Sequence, residues 1–321
     1  MLDSTGPRVY LSDIIQEQEV PGMAQAYLFG QVLGTHSFYL QDGFPVEDEY
    51  SELANTYFLP GGETGSAATV LSSLGVSVKM DGTHIGTEVA PMLRAFYADK
   101  TVDLSSMYFD PEWQGLMDYV LVSGLSRTPM GTFRQLYELG IKRWNMPREA
   151  DIAEADAVAI DPFFQEETQA AAEMCVKHGK PYVTIDCAHD TYLHRHAAVN
   201  VVSKECLGND YRGVSKEEAA ELLKEHSDGL TIVTTGANDM LYGRKGQELK
   251  RMKPFSVEVR STLGAGDTFK AGCVYGLLHG MDDDELVRFA SACSAVAITR
   301  YPLPLYPPKP GEVAALIGRG V

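Results

Sequence analysis

The sequence predicts an α/β protein in which helices cover both faces of a mostly parallel sheet. From about Asp151 onward, short strand-like apolar runs alternate with helical spacings, the mark of repeated strand–helix–strand crossovers. Between Phe255 and Gly280 the period changes within one stretch. Phe255, Val257 and Val259 alternate as in a strand, then Ala271, Val274 and Leu278 recur as on a helix. The composition, 45% hydrophobic and 22% charged over 321 residues, is that of a globular chain. With no repeat, low-complexity tract or linker, one domain over 1–321 is expected.

Taken in order, residues 1–22 are polar and lack the basic-then-apolar order of a signal peptide, so they read as a flexible arm or as an upstream extension with Met23 as an alternative start. AQAYLFGQVLG, from Ala24, reads as a strand ending near Gly30 or Gly34. Residues 37–62 mix β-prone pieces with turn residues and are acidic. In the stretch 61–75, Ala68, Leu71 and Leu74 keep helical spacing and Gly75 closes it. VSVKM (76–80) is the next strand. YVLVS (119–123) is β-prone, with a turn at Leu125–Thr128 and a return strand near Met130–Phe133. Strands then follow at 155–161, 180–186, 199–203 and 230–235, with helices over Glu166–His178 and Ser215–His226. The second of these opens SKEE, a capping-box signal. A last helix starts near Asp284, with Leu286, Phe289, Ala290, Cys293 and Ala297 in one stripe.

Charge and cysteines narrow the function classes. Lys and Arg number 27 against 44 Asp and Glu, a net charge of −17 that disfavours nucleic acid and anionic membranes. A nucleotide remains compatible, because it needs only local donors. Five scattered cysteines without a CxxC indicate reduced thiols and a cytoplasmic setting. No apolar run reaches the length of about 18 residues that a membrane span needs.

Two glycine-rich helix starts carry the chemistry. At the first, Gly61 and Gly62 permit close backbone approach, and Glu63, Thr64 and Ser66 offer donors and acceptors; an ordinary capped helix would look the same. At the second, Thr262, Gly264, Ala265, Gly266 and Asp267 lie between the strand pattern and the helix. The first N–H groups of a helix lack internal partners and carry the positive dipole end, and glycines let a phosphate reach them. Asp267 would be repelled by that phosphate, which suits either a base for an attacking hydroxyl or a plain N-cap. GxxxxGK[ST] is absent, and GxGxxG fails at Phe269. His189, His194 and His196, near Cys187 and Asp190, form no HExxH pair and read as a surface loop. Asp186, at a strand C-terminus, is the better ligand candidate.

STLGAGDTFKAG resembles the C-terminal signature of the ribokinase family of carbohydrate kinases, matching at Thr262, Gly264, Ala265, Gly266, Asp267, Phe269 and Gly272. Ser261 departs from the family's usual Asp. The resemblance implies a ribokinase-like three-layer α/β/α sandwich with a small β lid, at about 36–60 and 117–134. It implies Asp267 as general base and Gly264, Ala265 and Gly266 as an anion hole. GGETGSAATVLSSLG resembles the family's sugar-binding signature, so Gly61, Gly62, Glu63 and Ser66 become substrate candidates, Ser66 standing where Asn is usual. LTIVTTGANDM resembles the nucleotide turn, implicating Thr234, Thr235 and Gly236 with Thr262, though Asp239 replaces its last glycine. VVSKECLGNDYRG lies where the family carries N-x-x-E. Lys204 and Leu207 occupy those positions, which leaves Glu205 as the one nearby acid for Mg²⁺, through water, and Lys204 as a charge partner for phosphate. The family's early substrate-binding Asp is missing; Gln31, Thr35 and His36 stand in that stretch. Arg127 could reach the substrate from the lid, or be an exposed hairpin residue. The resemblance thus implies ATP-dependent phosphorylation of a sugar hydroxyl, with ATP and Mg²⁺, and makes the lid a candidate contact for a second copy. The alternatives are a nucleoside kinase and a catalytically weak sugar- or nucleotide-binding protein.

Overall fold

The computed structural model describes residues 25–137 and 141–320; the arm expected at 1–22 lies outside them. Its main sheet has nine strands in the order β15-β14-β13-β12-β11-β10-β1-β4-β6. In chain order these are β1 (Gln25–Gly30), β4 (Ser77–Gly82), β6 (Val102–Asp103), β10 (Ala157–Ile160), β11 (Tyr182–Ile185) and β12 (Val199–Val202). β13 (Leu230–Val233), β14 (Met240–Gly243) and β15 (Lys250–Met252) complete the set. Pairing is parallel from β6 to β13, and antiparallel only at β13–β14 and β14–β15.

Strand periodicity divides β1 between two cores. Ala26 and Leu28 face one, with the helices Gly62–Ser73, Ala265–Leu278 and Asp283–Ile298; Tyr27 and Phe29 face the other, with Glu149–Glu154 and Glu166–His178. A second sheet, ordered β3-β2-β8-β9, forms the lid from β2 (Leu33–Leu40), β3 (Leu53–Gly61), β8 (Met117–Ser123) and β9 (Ser126–Gly131). A two-strand pair joins β5 (Ile85–Gly86) to β7 (Phe109–Asp110). β1 has β4 on one side and β10 on the other, so chain order reverses there. The strand ends at that reversal open the crevice where open α/β sheets hold ligands. No helix among the described residues is long and apolar enough to cross a membrane.

Four expectations need correction. Residues 255–259 form no strand. Phe255 is buried and Val257 half-buried while their neighbours face solvent, so the alternation records one-sided packing without a partner strand. The lid's return strand runs Ser126–Gly131, so Arg127 and Thr128 lie in a strand and not a turn, and Phe133 opens a helix. The histidine segment is a surface loop only in part. His189 and Asp190 sit in a turn, after which the chain folds into the helix Tyr192–His196, capped by Thr191, with His194 fully buried against the Leu223 carbonyl at 2.8 Å. The helix from Asp283 is not the last, since Pro310–Arg319 follows with proline at its start.

Candidate active site

The second glycine turn is built by its neighbours. Ser261 is buried; its N–H donates to the Ile298 carbonyl at 3.1 Å, and its hydroxyl accepts from the Leu263 N–H at 3.3 Å. Gly264 then adopts φ +78°, a conformation that favours glycine, and a Cβ there would press on the tip of Leu303, 2.5 Å from Cδ2. Gly264 holds the N-cap position of the Ala265–Leu278 helix, and no side chain caps it. Asp267 is therefore the third residue of the helix and not its cap. Its carboxylate instead receives the Ser66 hydroxyl from the first glycine-rich helix. An uncapped helix start with a carboxylate beside it favours an anion at the N–H groups and a proton acceptor one turn on.

One turn further, Lys270 is fully buried and forms an ion pair with the equally buried Asp161, just past β10. The other oxygen of Asp161 accepts from the Gln31 N–H at 3.0 Å and the Thr64 hydroxyl at 2.8 Å. This cluster ties the two glycine-rich motifs and the ends of β1 and β10 together. It also sets the ionisation of its neighbours. Burial raises the Asp267 carboxyl to about 6, opposed first by Lys270 and helped by Asp161, with the Ser66 hydrogen bond and Arg127 lowering it. Burial, then the charges of Asp267 and Asp161, raise Glu63 to about 8. Burial pulls the Lys270 ammonium down, but Asp161, Asp267 and Glu63 outweigh it and hold it above its ordinary value.

Two cavities of opposite character follow from the fold. The smaller, about 170 Å³, is walled by Gly62, Glu63, Ser66, Gly264 and Asp267, with Gln31, Thr35 and Asp118 from the lid side and Pro302–Pro304 closing it. The larger, about 680 Å³, is lined by Lys204, Lys216, Arg251 and Lys253, with Thr235 and Asp239.

The family model described as pfkB family carbohydrate kinase matches residues 23–303. The chain belongs to this family. Ribokinase from Haemophilus influenzae is 24% identical over 260 residues, covering 75% of this chain and 81% of that protein. 1-Phosphofructokinase from Vibrio cholerae is 36% identical over 85 residues, so the match spans about a quarter of each chain, 26%. Among solved structures, a putative ribokinase from Agrobacterium tumefaciens superposes with TM-score 0.82 at 20% identity, covering 93% of this chain and 98% of that one. A putative ribokinase II from E. coli, in complex with ATP and Mg²⁺, gives TM-score 0.74 at 16% identity over 92% and 100%. The fold is thus ribokinase-like, with the parallel sheet between helical layers and the smaller sheet as its lid.

Against this pfkB frame the expected site residues separate into groups. Gly62, Glu63, Ser66, Gly264 and Asp267 share the small cavity; Gly61 ends β3 beside it, while Ala265 and Gly266 open the helix. Lys204 and Thr235 line the basic cleft, and Thr234 and Gly236 flank Thr235 at the end of β13. Arg127 stands apart from both linings. It donates to the Thr262 hydroxyl at 2.6 Å and lies 4.0 Å from Glu205. Asp186 does not reach the small cavity, because its carboxylate accepts the Ser203 N–H and hydroxyl at 2.6 and 2.8 Å. Glu205 is exposed, and no described group of three His, Cys, Asp or Glu could cage a metal.

Sequence reasoning missed Lys270, Asp161 and Asp118. A lone lysine within the otherwise apolar run FKAGCVYGLL was the available signal for Lys270. Asp118 pairs with Thr35 across β2 and β8 and lines the small cavity. Nothing local in the sequence announces that pairing.

Proposed function

We propose that this chain transfers the γ-phosphoryl group of ATP to a hydroxyl of a sugar or sugar derivative, with the acceptor in the small cavity and the nucleotide in the basic cleft. The observation that carries this reading is Asp267 itself. It is hydrogen-bonded by Ser66, it lines the small cavity, and it stands one turn into a helix whose start has no side-chain cap. The acceptor oxygen attacks the γ-phosphorus, and the bond to the β–γ bridging oxygen breaks, its electron pair leaving with ADP. The hydroxyl proton passes to Asp267. Near neutral pH a carboxyl titrating at about 6 is mostly ionised yet more basic than a free aspartate, which suits a general base.

The N–H groups around Gly264, Ala265 and Gly266 would hold the charge on the phosphoryl oxygens. Arg127, presented by the lid strand to Thr262, brings a cation to the same turn. Lys204, Lys216, Arg251 and Lys253 supply charge for the ATP phosphates, with Thr234, Thr235 and Gly236 at the adjoining turn. The nucleotide phosphates would bring Mg²⁺ with them, and the ion would supply screening of their charge. Lid closure would exclude water, so that phosphate reaches the acceptor and not solvent. The test is acceptor-dependent ADP release over a panel of sugars, polyols and nucleosides. Turnover with at least one sugar or polyol is expected; binding without turnover across the panel would favour a binding protein, and turnover of nucleosides alone a nucleoside kinase.

A further inference from the structure

The small cavity contains three acids, Glu63, Asp118 and Asp267, and no Lys, Arg or His among its lining residues. Two of those acids are incompletely paired. Glu63 Oε2 and Asp118 Oδ1 are each shut off from solvent and have no hydrogen-bond partner, although Thr35 donates to the Asp118 carboxyl. Buried acceptors of this kind are costly unless something donates to them. The cation nearest in sequence, Lys270, is already taken by Asp161, and Arg127 is held at Thr262 outside the lining. A phosphate or carboxylate in this cavity would meet like charge and find no counter-ion among its lining residues, whereas hydroxyl or ammonium groups would satisfy both orphan oxygens once the two side chains turn toward the cavity.

We propose, building on the kinase reading above, that the acceptor of this site is a donor-rich polyol or amino sugar without any anionic group. Glu63 and Asp118 are its specificity-determining residues, each accepting a hydrogen bond from the ligand at the atom now unpartnered. Phosphorylated sugars and sugar acids are rejected by charge. The burial that raises Glu63 to about 8 and Asp118 to about 6 belongs to the same picture, since an incoming ammonium would restore their ionised forms. A family that includes enzymes named for phosphofructose would thus be subdivided by the charge of one cavity.

The experiment is direct calorimetric binding, with a non-hydrolysable ATP analogue present, of matched compounds. Glucose, glucosamine, gluconate and glucose 6-phosphate form one set; fructose and fructose 1-phosphate form another. Neutral or amino members should bind at least about 100-fold more tightly than their anionic counterparts, since like-charge juxtaposition costs several kcal/mol. With folding checked by thermal melting, Asp118→Asn should narrow that gap to about tenfold or less at neutral pH, while Glu63→Gln, which mimics the protonated acid, should weaken the amino members most. Neutral or amino binding without turnover in the ADP assay would uphold this inference and sink the kinase reading. An anionic member that binds as well as its neutral counterpart, or failure of every member to bind, overturns the inference.

Discussion

Glu63 and Asp267 ionise on opposite sides of neutrality, and that difference has a direct kinetic consequence. kcat/KM should rise as pH passes about 6, where Asp267 loses its proton, and decline through about 8, where Glu63 loses its own and crowds negative charge near the phosphate. Glu63→Gln mimics the protonated acid, so it should flatten the alkaline limb and leave the acid limb in place. Folding responds with the same sign. The folded-state value of Glu63 is raised, so its contribution to stability is greatest below its unfolded value and is lost as pH climbs toward about 8. Lys270 acts through Asp267 and Asp161. Lys270→Met removes the cation that holds Asp267 down, so the acid limb should move to higher pH. It also strands Asp161 as a buried, unpaired charge, a loss of about 3–5 kcal/mol by chemical denaturation. A variant with an unmoved acid limb would contradict the assigned role.

At the level of elements, the two glycine-rich helices matter because packed neighbours fix them. The helices Ala265–Leu278 and Asp283–Ile298 approach so closely at Gly272 that a Cβ there would lie 2.6 Å from the backbone Cα of Ala290. Backbone cannot swing away as a side-chain tip can, so Gly272→Val must part the helices. The expected cost is about 1–3 kcal/mol, read as a lower Tm, together with reduced turnover because the Asp267 turn moves with its helix. Element existence was largely legible: the strands and helices predicted through 155–235, the helix over 61–75 and the capping box at Ser215 all form close to their expected bounds. The stretch 255–259 was misread because one-sided burial imitates strand alternation when no partner strand is present. Within the site, the glycine turns announce themselves by local spacing. Asp161 and Asp118 do not, because an acid at a strand end gains meaning only from which strand lies beside it. Asp186 shows the converse: a strand-end acid whose partner turned out to be Ser203.

Across the whole molecule, charge is sorted against the average. A chain of net charge −17 gathers four cations around its larger cavity and leaves its smaller one acidic. Lys204→Ala should raise the KM for ATP by about tenfold, the loss of one charged hydrogen bond, leave the acceptor KM nearly unchanged, and weaken the salt dependence of ATP binding. Equal effects on both substrates would contradict the division of labour between the cavities. The measurement that bears most directly on the account is the turnover of Asp267→Asn with its best acceptor. Because Gly264 and not Asp267 occupies the cap position, the asparagine variant should stay folded and still bind ATP, more tightly if anything, with one negative charge gone from beside the phosphates. Its kcat should fall by about 10²- to 10⁴-fold, the usual cost of removing a positioned base. A folded Asp267→Asn protein that turns over at the wild-type rate would contradict the mechanism.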